Sequence, residues 1–406
     1  VLTIHHIVTD GWSMGVIDRE LGKFYSAALR GEPADLPPLP YQYVDYTVWQ
    51  RKWMQGENQA QQMAYWKEKL AGLATLDLPT DHPKSAKQTN NGAILYFDVP
   101  AEIANRFKEL CKREGVTFYM GLLAAFSVLL HRYSRAEDIT VGTGLANRRQ
   151  GEIEGLIGYF VNMLVMRNDL GGNPRFVDLL KKVKENTLEA YAHQDLPFTR
   201  LVEELQPERE SNRNPLFQVL FELQSAQKYP LEMEGLQCSE WFVDTTTAKF
   251  DLSFFMEEFG ENLQGSFEYS TDLFEQETIE HMAGHLLEIL RGILENVEER
   301  IDQLPMLTAE EREQLVTEWN RTEADYPRES SVQNEFEKCV DDYPENVAVV
   351  CGDEKVNYRE LNERANRLAR YLLDLGIKEG DFIGIYTERS VDMIAGLLAI
   401  LKAGGV

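Results

Sequence analysis

Two adjacent histidines, His5 and His6, followed by Asp10 and Gly11, are the residues of this sequence best suited to chemistry. An imidazole has an unperturbed pKa of about 6.5, so it can accept and return a proton near neutral pH. If residues 1–6 form a strand, the two side chains point to opposite faces and only one can enter a given cleft. Asp10 could then accept a hydrogen bond from an arginine or a backbone N–H, and Gly11 would permit a backbone conformation closed to other residues.

A helix is expected directly after this loop. Apolar residues recur at helical spacing between Ser13 and Arg30, with Ser13 as the predicted N-cap and Gly31 as the stop. The positive N-terminal end of such a helix would stabilise a negative charge developing beside the histidines. The histidine pair alone does not decide between a catalytic role and a packing role.

Length, composition and charge narrow the classes of protein. The chain has 406 residues, which at about 150 residues per domain predicts two or three domains. A net charge of −26 argues against a nucleic-acid surface or an anionic membrane as a partner, because both attract basic patches. The sequence contains no apolar run of about eighteen residues and no signal peptide. Its four cysteines lack the density of a disulfide framework, so we expect a cytoplasmic protein.

No metal or phosphate site is predicted. The four cysteines lack CxxC spacing, which fits a reducing compartment. His281 and His285 share one helix face, but no third ligand accompanies them, so we expect them at a helix surface. The glycines near residue 142 match neither GxxxxGK[ST] nor GxGxxG.

Strands alternating with long helices predict a layered α/β fold. In the first part of the chain, strands are expected at 1–6, 93–99, 139–142, 157–167, 213–221, 249–255 and 263–269, and helices at 13–30, 43–70, 102–114, 117–132, 176–192 and 275–297. The pattern starts again near residue 332, with predicted strands at 346–350 and 382–386 and helices at 336–340, 357–373 and 391–401. We therefore expect one domain at 1–304, a linker at 305–331 and the start of a second domain at 332–406.

The string HHIVTDGWS at residues 5–13 resembles the active-site motif of condensation domains of nonribosomal peptide synthetases, relatives of chloramphenicol acetyltransferase. Further strings resemble core motifs of that family in the expected order: YVDYTVWQR at 43–51, IGYFVNMLVMR at 157–167, HQDLPF at 193–198 and RNPLFQV at 213–219. NYRELNERANRLA at 357–369 and LKAGG at 401–405 resemble the first core motifs of adenylation domains. The resemblance implies a chloramphenicol acetyltransferase-like two-lobed α/β sandwich with an incomplete N-terminal lobe, followed by the beginning of an α/β adenylate-forming domain.

The resemblance also implies site residues. The catalytic residue would be His6, supported by His5, Asp10, Gly11, Trp12, Ser13, Arg148 and Asn162. An arginine pairs with the motif aspartate in this family, and Arg148 is a candidate that could form a bidentate pair with Asp10; the alternative is a surface arginine beside Arg149. For Asn162 we favour a substrate-facing amide over a satisfied buried one. For His193 we favour packing and capping over a second catalytic base.

The implied reaction is amide-bond formation in nonribosomal peptide biosynthesis, and the wording HHIVTDGWSM resembles the subtype that joins an L-configured donor to an L-amino acid. Upstream and downstream carrier domains would deliver donor and acceptor thioesters on phosphopantetheine arms. No directly bound cofactor, metal or ATP is expected in this stretch, and the other partner would be the rest of the adenylation domain in the same, bacterial, polypeptide. We expect the adenylation part to be inactive because the chain stops before the family's phosphate-binding loop. The family's N-terminal lobe begins earlier than this chain, and that portion would supply the donor side of the cleft and another candidate arginine for Asp10.

Two alternatives remain open from the sequence. An epimerisation domain shares the HHxxxDG loop, although Trp12 and the adenylation-like tail favour condensation. Heterocyclisation domains replace the histidines with aspartates, which this chain does not. A catalytically silent platform that recruits other proteins is the second alternative, and the intact His6, Asp10 and Gly11 weigh against it.

Overall fold

The computed structural model describes residues 2–84, 89–205, 214–224, 231–239, 246–259 and 262–406. It divides the chain into two compact units, Val1–Thr317 and Glu318–Val406. Residues 305–317, which the sequence assigned to a linker, thus belong to the first unit. They are held there in part because the Glu311 carboxylate lies 2.9 Å from Nε2 of His285.

The first unit is a mixed α/β structure, as predicted. Its strands are β1 (Gly92–Val99), β2 (Asp138–Leu145), β3 (Asn162–Asp169), β4 (Val219–Gln224), β5 (Leu252–Phe259) and β6 (Asn262–Ser270). Its helices are α1 (Gly11–Arg30), α2 (Tyr43–Trp53), α3 (Glu57–Lys69), α4 (Ala101–Arg113), α5 (Phe118–Ser134), α6 (Gly151–Glu154), α7 (Phe176–Ala192), α8 (Phe198–Leu205), α9 (Gln276–Glu295) and α10 (Ala309–Glu313). A 3-10 turn spans His6–Val8 and a π-helical turn spans Gln314–Glu318.

The six strands form one sheet in the order β1-β6-β5-β4-β2-β3. Strand β4 pairs in parallel with β2 and β5, and the other pairs are antiparallel. The core contains α5, in which every residue from Met120 to Leu130 is buried. This helix is apolar on all of its faces, and it is accordingly buried on all sides.

An aromatic cluster links α5 to the sheet. Phe126 lies 4.9 Å from Phe254 between ring centroids, and Phe254 lies 4.8 Å from Phe267 on the neighbouring strand. Aromatic rings at such distances add to the stabilisation from buried area.

Several predicted elements differ from the observed ones around the histidine loop. Residues 2–5 belong to no strand in the described part of the chain, because the His5 side chain instead caps the 3-10 turn. Residues 157–161 are irregular, and β3 begins only at Asn162. The predicted helix over 43–70 is broken at Gly56, whose φ of 65° favours glycine. Of the predicted strand at 213–221, residue 213 lies outside the described residues, and β4 starts at Val219.

The second unit contains α11 (Val332–Asp342), β7 (Val347–Cys351), β8 (Glu354–Asn357), α12 (Tyr358–Asp374) and α13 (Val391–Lys402). Strands β7 and β8 form an antiparallel hairpin. The Asn357 side chain caps α12 by accepting a hydrogen bond of 2.8 Å from Glu360 N. The strand predicted at 382–386 is wrong: this segment forms no ladder among the described residues, and Phe382 is 90% exposed.

Two further expectations concern membranes and metals. Within the described ranges, no single helix has the length and apolar character needed to cross a membrane; α4 and α5 meet that test only jointly, as a pair bent by 108°. Those ranges also contain no group of three or more His, Cys, Asp or Glu side chains able to hold a metal ion. His281 is exposed, but the prediction of a surface position is wrong for His285, which is buried.

Candidate active site

Asp10 begins helix α1 as its N-cap. Its Oδ1 accepts hydrogen bonds from the backbone N of Ser13 at 2.8 Å and from Ser13 Oγ at 2.7 Å. The N-cap is therefore Asp10 and not Ser13, because the helix starts at Gly11 and places Ser13 in its first turn. Gly31, with φ of 70°, ends the helix as predicted.

Arg148 is the arginine that pairs with Asp10. Its Nη2 lies 3.1 Å from Oδ1 and 3.5 Å from Oδ2 of the carboxylate, and the two side chains are 1% and 3% exposed. One nitrogen faces both oxygens, so the geometry is not the bidentate fork expected. The second terminal nitrogen, Nη1, donates to the carbonyls of Ile153 at 2.8 Å and Leu156 at 2.7 Å.

The buried charge on Arg148 is compensated from several sides. Burial lowers the pKa of the guanidinium, and the neighbouring Asp10 charge opposes that effect. Arginine remains a cation because its ordinary pKa lies far above neutrality. The face of the guanidinium also lies 4.0 Å from the centroid of the Phe160 ring.

Residues 158–160 fold over this ion pair with their backbone. Phe160 N donates to Asp10 Oδ2 at 3.0 Å, and Gly158 N donates to Ser13 Oγ at 3.1 Å. These peptide groups serve the buried polar cluster and not a strand ladder, which explains why β3 starts late. Sequence reasoning missed this contribution, although Gly158 within an otherwise apolar run was a signal for it.

The two histidines hold their protons on different nitrogens. His6 Nδ1 lies 2.7 Å from the Thr9 carbonyl oxygen, which can only accept, so Nδ1 carries the proton and Nε2 has the free lone pair. His5 Nδ1 accepts from Ile7 N at 3.0 Å, so its proton in the neutral ring is on Nε2. Both side chains are exposed. The two rings differ because the 3-10 turn gives them different hydrogen-bond partners, and not because a strand points them to opposite faces.

The arrangement can therefore support proton transfer. It presents one exposed imidazole with a basic nitrogen, on the turn that precedes a long helix along the chain. The loop that carries this imidazole is anchored by a buried ion pair. An exposed nitrogen base on a rigid support is suited to removing a proton from a bound substrate.

Comparison with known proteins identifies the family. Residues 1–316 match the model of the condensation domain, and residues 336–406 match the model of the AMP-binding enzyme. The chain belongs to the condensation domain family. The resemblance drawn from the sequence motifs is thereby confirmed, including the start of an adenylation domain.

Known relatives of this condensation domain are peptide synthetases. The chain is 45% identical over 408 residues to a linear gramicidin synthase and 41% identical over 408 residues to tyrocidine synthase 3, both of Brevibacillus parabrevis. Each match covers 100% of this chain but only 8% and 6% of the two relatives, so the chain spans less than a tenth of their length.

Solved structures share the fold. A four-domain nonribosomal peptide synthetase bound to AMP and glycine matches with a TM-score of 0.80 and 24% identity, over 99% of this chain and 31% of that one. The X-domain from teicoplanin biosynthesis matches with a TM-score of 0.69 and 27% identity, over 75% of this chain and 71% of that one.

Trp12 supports the condensation-domain loop, whereas Gly11 makes no contact that requires glycine. Trp12 Nε1 donates to the Glu154 carbonyl at 2.9 Å and so ties the start of α1 to α6. Gly11 does not have the special backbone conformation predicted for it. It is the first residue of α1, and a Cβ added there would meet nothing within 4 Å.

Asn162 connects the start of β3 to the turn between α7 and α8. Its Nδ2 donates to the carbonyls of Gln194 and Leu196, both at 2.8 Å, and its Oδ1 accepts from Phe198 N at 3.0 Å. Both amide protons are used by the turn between α7 and α8, which contradicts the substrate-facing orientation that we favoured from the sequence. His193 caps α7 and stacks on Tyr65 at 3.9 Å between centroids, as a packing role predicts.

Proposed function

We propose that the first unit catalyses amide-bond formation between two carrier-bound thioesters, with His6 as the catalytic residue. The observation that carries the proposal is the exposed side chain of His6, whose Nε2 keeps a free lone pair because Nδ1 is held by the Thr9 carbonyl. The substrates would be a peptidyl or aminoacyl donor and an aminoacyl acceptor, each on the phosphopantetheine arm of a carrier domain. Membership of the condensation domain family supports this choice of substrates.

The step is balanced without an outside reagent. The acceptor amine attacks the donor carbonyl, a C–N bond forms and the C–S bond breaks. His6 Nε2 takes the proton that the amine nitrogen loses and returns it to the departing thiolate. The products are an amide on the acceptor carrier and a free thiol on the donor carrier, and the thioester supplies the driving force.

Positioning should contribute more than proton transfer. Holding two reactants in near-attack contact is worth up to about 7–11 kcal/mol in ideal cases. General base catalysis adds typically about 10²- to 10⁴-fold. The supporting residues Asp10 and Arg148 would contribute to positioning, because they anchor the loop that carries His6.

The finer assignments are proposals that the relatives and the motif support. We propose an L-configured donor and an L-configured acceptor, carrier domains on both sides as partners, and a bacterial cytoplasm as the location. An epimerisation domain would instead exchange the α-proton of one carrier-bound residue. Incubation of a loaded carrier with the protein in deuterated water distinguishes the two, because only epimerisation predicts deuterium at the α-carbon.

A recruitment platform is the second candidate. The observation that favours it is the structural likeness to an X-domain, 27% identical, that has been solved in complex with OxyB. A platform predicts that partner proteins bind equally well to the wild-type protein and to His6→Ala, with no peptide product from either.

The decisive experiment uses a synthetase module that contains this chain, with donor and acceptor carriers loaded and the product identified by mass. We expect His6→Ala to lower the rate about 10²- to 10⁴-fold. Its melting temperature should not change, because the ring is exposed. The matched control is His281→Ala, an exposed histidine on α9, which should keep full activity. Normal turnover by His6→Ala would refute the assignment.

A further inference from the structure

Two tyrosines beside the histidine loop have no role in the proposal so far. Tyr43 opens the YVDYTVWQR string and is the first residue of α2. Its hydroxyl donates a hydrogen bond of 2.7 Å to the Tyr159 carbonyl. The Tyr159 ring in turn lies 5.4 Å from the His6 ring between centroids, edge to face at 73°. A line of contacts therefore leads from α2 to the imidazole.

The backbone of Tyr159 is held on both sides. Phe160 N is bonded to Asp10, and Gly158 is bonded to Ser13 through its N–H. A Cβ on Gly158 would lie 2.3 Å from the Tyr43 ring, so only glycine allows this close approach. The backbone that carries the Tyr159 ring is thus held by the same cluster that anchors the loop.

The His6 ring has few other restraints. Its one hydrogen bond in the described part of the chain is that from Nδ1 to Thr9, and the side chain is exposed. A single hydrogen bond fixes one direction of a ring but leaves rotation about that bond open. An edge-to-face contact with a second ring supplies the missing restraint.

We propose that Tyr159 is a positioning residue for His6. The Tyr43 hydroxyl holds Tyr159 in place through its hydrogen bond to the Tyr159 carbonyl oxygen. The inference rests on the proposed function, since it makes Tyr159 a determinant of how His6 Nε2 meets the acceptor amine. The contact needs the aromatic ring and not the hydroxyl of Tyr159. The contribution of Tyr43, by contrast, needs its hydroxyl.

Three variants, each made in the synthetase module that contains this chain, test these requirements. We expect Tyr159→Leu to lower kcat about two- to tenfold, the range expected from loss of one aromatic pair, with KM unchanged. Tyr159→Phe keeps the ring and should restore the wild-type rate. Tyr43→Phe should fall between the two. The control is Tyr96→Leu, which truncates a tyrosine that is 52% exposed on β1 and should change nothing.

A second measurement does not depend on turnover. Nitrogen chemical shifts of labelled histidine report which ring nitrogen carries the proton, and His6→Ala assigns the His6 signals. In the wild type we expect one Nδ1-protonated form with narrow signals. In Tyr159→Leu we expect the same form, held by the Thr9 carbonyl, with shifted and broadened signals because the ring can rotate about that hydrogen bond. Unchanged His6 signals in Tyr159→Leu, or a Tyr159→Phe variant as slow as Tyr159→Leu, would overturn the inference. A wild-type module without turnover would overturn the proposed function, while the chemical shifts would still decide the role of Tyr159.

Discussion

Replacement of Asp10 by asparagine tests the physical basis of the site most directly. The carboxylate accepts hydrogen bonds from Ser13 and Phe160 and faces a guanidinium whose side chain is 1% exposed. Asparagine keeps the shape of the side chain but removes its charge. Arg148 would then be a buried cation without a counter-charge.

The expected cost follows from these contacts. Removing one partner of a buried ion pair costs about 3–5 kcal/mol, because the remaining charge stays out of water. Loss of an N-cap costs about 1 kcal/mol, although asparagine can itself cap a helix and should retain that part. Domains have free energies of unfolding of about 5–15 kcal/mol, so Asp10→Asn should destabilise the first unit severely. We expect less soluble protein as well as less activity.

Urea unfolding of the full chain, followed by tryptophan fluorescence, measures the change. Two variants calibrate it. Asp178→Asn removes an exposed ion pair with Arg175 and should leave the midpoint nearly unchanged. Adding Arg148→Met to Asp10→Asn removes the stranded cation and should recover part of the loss. If Asp10→Asn unfolds at the wild-type urea concentration and is inactive, the carboxylate acts in the chemistry and not as an anchor.

Two further predictions concern glycines and pH. Gly158→Ala should destabilise the first unit by about 1–3 kcal/mol in urea unfolding, because its Cβ would overlap the Tyr43 ring. Gly11→Ala should be as stable as the wild type, because the surroundings of Gly11 are open. Equal urea midpoints for the two variants would contradict this reasoning. Burial lowers the pKa of His285 below its ordinary value, so below about pH 6.5 the unfolded state binds more protons and the stability of the first unit should fall between pH 7 and pH 5. Thermal unfolding across that range should show a weaker pH dependence in His285→Gln, and an unchanged slope would show that this histidine does not carry the effect.

Local features of the sequence were sufficient to predict much of the first unit. The helix at Phe176–Ala192 has the predicted bounds, and the stop of α1 at Gly31 was read from one residue. Helix periodicity and C-caps depend on residues about four positions apart, so the sequence alone carries them. The loop that pairs a basic imidazole with Asp10 is likewise contained in residues 5–11.

The long-range partners of that loop could be determined only by the tertiary structure. Arg148 lies 138 positions from Asp10 along the chain, and the sequence left two roles open for it: an ion pair with Asp10 or a place at the surface. Its burial beside Asp10 decided between these roles. The Asn162 amide is consumed by a turn more than thirty residues further on, which no local pattern reveals. The strand predicted at 382–386 failed for the same reason: a β-strand requires a partner, and apolar composition does not supply one. Which polar groups remain free for chemistry is settled only when every backbone group has found its hydrogen bond.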